Sequence, residues 1–166
     1  MKIPYVNLNI QWKKEKRDLI KIIDKTLGSD GWVGGTNIDK FEKSIAKLCN
    51  TKYAISLNSG TDALTLGLHL LGVRRGDEVI TIPNSFIAST AVIIHLGAKP
   101  VFIDVLSDQN MNPDLLKNVI TKKTKAIMPV HLTGRISEMS KIMKIAQEYN
   151  IPVIEDAAQS VGSLYK

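Results

Sequence analysis

The stretch GDEVITIPNSFIASTAVIIHLGAKPVFID, residues 76–104, decides the fold. It holds a short apolar run at Val79–Ile82, a helical stretch at Ser85–Leu96 and a second apolar run at Val101–Ile103. Gly97 stands where a helix C-cap belongs. The alternation continues in both directions. Upstream lie the apolar run Ala54–Leu57, the helical stretch Thr61–Leu71 and a second cap glycine, Gly72. Downstream come helical Asp114–Ile120, apolar Ala126–Pro129, helical Ser137–Tyr149 and the apolar pair Val153–Ile154. Asn112-Pro113 supplies an N-cap followed by proline at the first helical position. Strands apolar on both faces and separated by helices predict a mostly parallel sheet in a three-layer αβα arrangement.

The chain before Tyr53 reads differently. Leu19, Ile20, Ile23 and Leu27 fall on one face of an expected helix over Lys13 to Leu27. Gly28–Gly35 holds four glycines in eight residues and is expected to be a loop. A second helix is expected from Ile38, with Phe41, Ile45 and Leu48 spaced i, i+4, i+7. The expected division is therefore 1–52, helices and a glycine-rich loop, and 53–166, the strand–helix domain.

With 166 residues, 44% hydrophobic and 23% charged, the composition is globular and excludes disorder. No apolar stretch approaches the roughly 18 residues of a membrane span. The opening MKIPYVNLNIQWKK lacks the apolar core of a secretory signal, so a cytoplasmic protein is expected. One cysteine, Cys49, excludes a disulfide framework and a cysteine-rich metal site. The charge of +6 is spread along the chain: residues 1–83 carry 13 Lys/Arg against 9 Asp/Glu, and residues 84–166 carry 9 against 7. Its densest clusters, at residues 13–17 and 122–125, hold no aromatic ring for stacking on bases. They read as solvated faces, not as a nucleic-acid surface.

Open parallel sheets bind ligands at the carboxyl ends of their strands. Those ends here carry Asn58-Ser59-Gly60-Thr61, then Pro83-Asn84-Ser85-Phe86, Asp104, His131 and Glu155-Asp156. The first is a strand–Ser-Gly-Thr–helix junction. It reads equally as an anion site, through free N–H groups and hydroxyls, or as an ordinary capped helix start. Asp156 can bind a metal, accept a proton or a phosphoryl group, pair with a cationic ring or cap the next turn. Taken singly, His131 reads as a hydrogen-bonded structural histidine and Phe86 as core.

Taken in order, Gly34-Gly35, Phe41-Glu42, Ser59-Gly60-Thr61-Asp62-Ala63-Leu64, Gly76-Asp77-Glu78-Val79-Ile80, Phe86-Ile87-Ala88-Ser89, Gly97–Asp104, Thr124–Leu132 and Glu155-Asp156-Ala157-Ala158-Gln159 resemble the DegT/DnrJ/EryC1/StrS family. The resemblance runs from Asn7 to Lys166. It implies the large domain of a fold-type I aminotransferase dependent on pyridoxal 5'-phosphate (PLP). Its substrates would be a nucleotide-linked keto sugar and an amino donor such as glutamate, in a homodimer serving amino-sugar or polysaccharide synthesis. By the same resemblance Gly60 and Thr61, with Ser59 beside them, hold the phosphate and Phe86 stacks on the ring. Asp156 pairs with the pyridine nitrogen, and Gln159 bonds the phenolic oxygen. No metal, nucleic acid or membrane partner is implied.

Two departures accompany the resemblance. The family reads His-Leu-Tyr-Gly-Gln where this chain has His131-Leu132-Thr133-Gly134-Arg135. The family's Schiff-base lysine lies downstream of the aspartate motif, and Lys166 matches a different position, in a Tyr-Lys-Gly turn. The sequence is therefore expected to be the N-terminal part of such an enzyme, inactive alone, with the last strands and the small C-terminal domain outside it. A sugar dehydratase of the same fold, with histidine at the lysine position, is the nearest rival reading. A non-catalytic regulatory or truncated product is the other.

Overall fold

A computed structural model describes residues 4–29 and 33–165. The centre of the expected glycine loop and Lys166 lie outside the described residues. The chain divides into two compact units, Met1–Ser56 and Leu57–Lys166.

The first unit holds α1 (Leu8–Leu27) and α2 (Thr36–Leu48). Helix α1 begins five residues before the expected start, because the Asn7 side chain caps it by accepting the Ile10 N–H at 3.2 Å. Residues 53–57 form no strand, against the expectation for Ala54–Leu57. No strand among the described residues pairs with them, and an apolar run has no ladder of its own. Within this unit the Ser56 amide instead donates to the Glu42 carboxylate at 2.7 Å, and Ile55 is 79% exposed.

The second unit carries the alternation read from the sequence: α3 (Gly60–Leu70), β1 (Glu78–Thr81), α4 (Ile87–His95), β2 (Lys99–Phe102), α5 (Leu116–Val119), β3 (Thr124–Ile127) and α6 (Met139–Glu148). A 3-10 turn, Pro113–Leu115, precedes α5, so the helix expected over Asp114–Ile120 is shorter and split. Its Asn112 cap is as read, the side chain accepting the Asp114 N–H. Strand order is β2-β1-β3, all parallel. Val153 and Asp156 add two parallel rungs beyond β3, opposite Ile127 and Val130. The last expected strand thus joins by single pairs.

Alternation along the strands divides the core between two faces. Ile80, Ile127 and Val130 pack with Leu116, Ile142 and Ala146 on one side. Val79, Ala126 and Met128 pack with Leu68, Val92 and Ile93 on the other. That makes three layers: α3 and α4, the sheet, then α5 and α6. Each fully buried isoleucine or valine contributes roughly 2 kcal/mol to this arrangement. A Cβ on Gly67 would stand 2.5 Å from Ile154 Cδ1, so its absence lets α3 lie against the last strand segment.

Candidate active site

A cleft of about 390 Å³ opens at the carboxyl ends of the strands. It is lined by Gly60, Thr61, Ser85, Phe86, Glu155, Asp156 and Gln159, among others. A larger depression of about 670 Å³ lies at the opposite, amino end, beside Thr124, Lys125 and Tyr149. Parallel sheets gather ligand-binding groups at their carboxyl ends, and the smaller cleft alone combines open backbone amides, a ring and carboxylates.

Helix α3 supplies the amides. The Ser59 hydroxyl accepts the Asp62 N–H at 3.1 Å and donates to the Asp62 carboxylate at 2.9 Å. Ser59 is thus occupied as the cap and is absent from the cleft lining. The N–H groups of Gly60 and Thr61 have no protein acceptor among the described residues, as expected for the first turn of a helix. Nothing lies within 4 Å of a Cβ built on Gly60, and its φ is not left-handed. Neither steric crowding nor backbone conformation therefore requires glycine there.

Phe86 sits at the N-cap of α4, its side chain extended into the rim and 70% exposed. Asp156 stands on the last rung, where its N–H donates to Pro129 O and its carbonyl accepts from the His131 N–H. Its Oδ2 accepts the Ser89 hydroxyl at 2.8 Å and its Oδ1 accepts the Ala158 N–H at 3.2 Å. Two donors fix the carboxylate and leave lone pairs for a third. Ser89 carried no role in the sequence reading, although its i, i+4 spacing from Ser85 was visible.

Gln159 lines the same cleft, and its Oε1 accepts the Thr133 N–H at 2.7 Å. The amide is thereby oriented, leaving its NH₂ as the free end. Thr133 adopts φ 55, ψ 24, left-handed and costly for a β-branched residue. It is held by its neighbours: Asn110 Oδ1 accepts the Leu132 N–H, and Ser163 Oγ donates to Gly134 O. This is the stretch where the sequence departs from the family pattern.

His131 does not line the cleft. Its ring is buried, with Nδ1 accepting the Ser137 N–H at 3.2 Å and Nε2 lying 2.7 Å from Glu155 Oε2. The amide bond makes Nδ1 an acceptor, so in the neutral ring Nε2 carries the proton and donates to Glu155. That hydrogen bond lowers the Glu155 carboxyl below the usual glutamate range, against the opposing effect of burial.

Residues 13–166 match the model of the DegT/DnrJ/EryC1/StrS aminotransferase family. The chain belongs to that family. It is 37% identical over 99% of its length to a "Pleiotropic regulatory protein" of Geobacillus stearothermophilus, covering 45% of that protein. It is 40% identical, over 99% of its length and 46% of the relative's, to the UDP-2-acetamido-2-deoxy-3-oxo-D-glucuronate aminotransferase of Pseudomonas aeruginosa. Among solved structures it resembles ntda from Bacillus subtilis, crystallised with bound cofactor PMP. There the TM-score is 0.92 with 35% identity, over 97% of this chain and 38% of that one. The chain thus spans less than half the length of these relatives. The fold is that of fold-type I aminotransferases.

Proposed function

We propose that the full-length protein is a PLP-dependent aminotransferase that places an amino group on a nucleotide-linked keto sugar. The observation that carries this reading is the convergence, in one cleft, of open helix amides, an aromatic ring, a fixed carboxylate and an oriented amide. A phosphate, a flat ring, a basic ring nitrogen and a phenolic oxygen ask for that set. Gly60 adds to the fit, since the space a Cβ would occupy is open at the helix start.

In this reading the Gly60 and Thr61 amides and the Thr61 hydroxyl hold the phosphate, aided by the positive end of the α3 dipole. Ser59 acts through the cap, keeping the first turn of α3 in place and the Asp62 carboxylate tied back. Phe86 orients the ring by its face. Asp156 holds a proton at the ring nitrogen, because a neighbouring carboxylate favours the charged pyridinium. Gln159 offers its NH₂ to the phenolic oxygen. When bound, the cofactor supplies an electron-withdrawing ring that stabilises negative charge beside the transferred nitrogen.

Glutamate as amino donor, a homodimeric assembly and a cytoplasmic setting complete the proposal. Among the described residues no helix is long and apolar enough to cross a membrane. The test incubates the full-length protein with PLP, glutamate and a panel of nucleotide-linked keto sugars, and follows products by mass spectrometry. Exchange of a sugar carbonyl for an amine supports the reading; PLP retention without exchange on any sugar overturns it. The description of the Geobacillus relative favours a second reading, a regulatory protein built on the same cleft. PLP retention without transfer is the result that reading expects.

A further inference from the structure

Behind the cleft wall lies a chain of hydroxyls that the cofactor contacts do not account for. Ser89 is completely buried, and its hydroxyl donates to Asp156 Oδ2 at 2.8 Å. Ser85 Oγ lies 2.7 Å from Ser89 Oγ, one helical turn back, and Ser85 itself lines the cleft. A hydroxyl has one proton. With the Ser89 proton committed to Asp156, the Ser89 oxygen accepts and Ser85 donates. The order is then Ser85 to Ser89 to the carboxylate, the Phe86 carbonyl at 3.4 Å being a longer alternative acceptor for Ser85. Consecutive donors in one direction polarise one another.

A buried serine hydroxyl on an otherwise apolar helix face has alternatives. It could bond back to a carbonyl of its own helix, as Ser44 does to Lys40 O at 2.7 Å. Ser89 instead reaches 67 positions along the chain to the Asp156 carboxylate in the cleft lining. The remaining carboxylate oxygen is held by the Ala158 N–H. Two donors, one on each oxygen, narrow the carboxylate's orientation.

We propose that Ser89 is a positioning residue that holds the Asp156 carboxylate in one orientation, aimed into the cleft, with Ser85 as the outer donor of the relay. This rests on the proposed pairing of Asp156 with the ring nitrogen of PLP. Loss of the Ser89 donor frees the carboxylate to turn away and loosens its contact with the ring nitrogen, so the nitrogen's proton is held less well.

The experiment loads the holoenzyme with PLP labelled with ¹⁵N at the ring and reads the nitrogen's chemical shift in five proteins: the wild type, Asp156→Asn, Ser89→Ala, Ser89→Thr and Ser85→Ala. Asp156→Asn is expected to move the shift to the unprotonated range. Ser89→Ala moves it part of the way, Ser85→Ala less far in the same direction, and Ser89→Thr restores it. Ser85 is only half-buried, so its alanine variant tests the relay even if Ser89→Ala does not fold. A wild-type shift in both alanine variants, with Asp156→Asn displaced, overturns the relay alone. A wild-type shift in Asp156→Asn overturns the ring-nitrogen pairing itself. A purely packing role for Ser89 would leave the shift unmoved.

Discussion

His131 and Glu155 meet at 2.7 Å, Nε2 to Oε2, with the imidazole almost wholly out of solvent and the carboxylate half in it. The pairing couples acid stability to one rung of the sheet. Glu155 titrates below the usual glutamate range because the imidazole N–H favours its charged form. The folded chain therefore binds fewer protons than the unfolded chain in that interval, and stability rises with pH there. The contribution is complete above the ordinary glutamate pKa, about 4.3, and is lost as pH falls through the lowered value. Glu155→Gln is expected to flatten the dependence of Tm on pH below about 5. Thermal melts across that range check this; an unchanged slope counts against the coupling. The effect is modest, since a half-exposed carboxylate is screened by water.

Gly60→Val is expected to leave folding intact, because nothing stands within 4 Å of the added Cβ and φ is not left-handed. The side chain would fill the space over the open amides. PLP affinity in the full-length protein should fall by about tenfold or more, equivalent to about 1.4 kcal/mol. Equilibrium titration beside a melting curve tests both halves, and wild-type affinity would remove the phosphate from this helix start.

The alternation of strands and helices was legible because each element states its own period and its own stop. Gly72 and Gly97 do adopt left-handed φ, +85 and +75, where caps were read. Asn112-Pro113 announced its turn in the same local way. Strand pairing is not local, and the run Ala54–Leu57 illustrates the limit: apolar content marks a strand candidate but names no partner. The α1 start is less legible, because Asn7 precedes a stretch with weak periodicity, although its side chain is a good cap. At the site, the family motif flagged Gly60, Phe86, Asp156 and Gln159. It could not reveal that Thr133 would feed Gln159 from 26 positions away, or Ser89 feed Asp156 from 67. Those contacts exist only once the sheet has brought the two segments together.

Asp156→Asn should retain PLP and slow transamination in the full-length protein by about a hundredfold or more. The amide keeps shape but cannot hold the ring-nitrogen proton, so the loss falls in kcat more than in KM. Steady-state kinetics with matched cofactor occupancy check the split. Unchanged turnover would leave Asp156 with a purely structural role.

Among the described residues no lysine lines the cleft. Borohydride reduction of this 166-residue chain with PLP, followed by peptide mapping, should give pyridoxyl groups scattered over surface lysines, because none is positioned against the aldehyde. A single stoichiometric adduct within residues 1–166 would contradict this.

Glu155 and Asp156 are neighbours in sequence yet serve opposite sides of the sheet, one bonded to His131 and the other to Ser89. Their assignments depend on parity. Because successive side chains alternate, a slip of one residue along this edge would turn both carboxylates to the wrong faces, Asp156 away from the serine and Glu155 away from the imidazole. The bonds from Asp156 N–H to Pro129 O and from His131 N–H to Asp156 O hold the frame. A single-residue deletion between Asn150 and Ile154 would therefore disable both carboxylates at once while touching neither, an outcome that no point substitution at that rung could imitate.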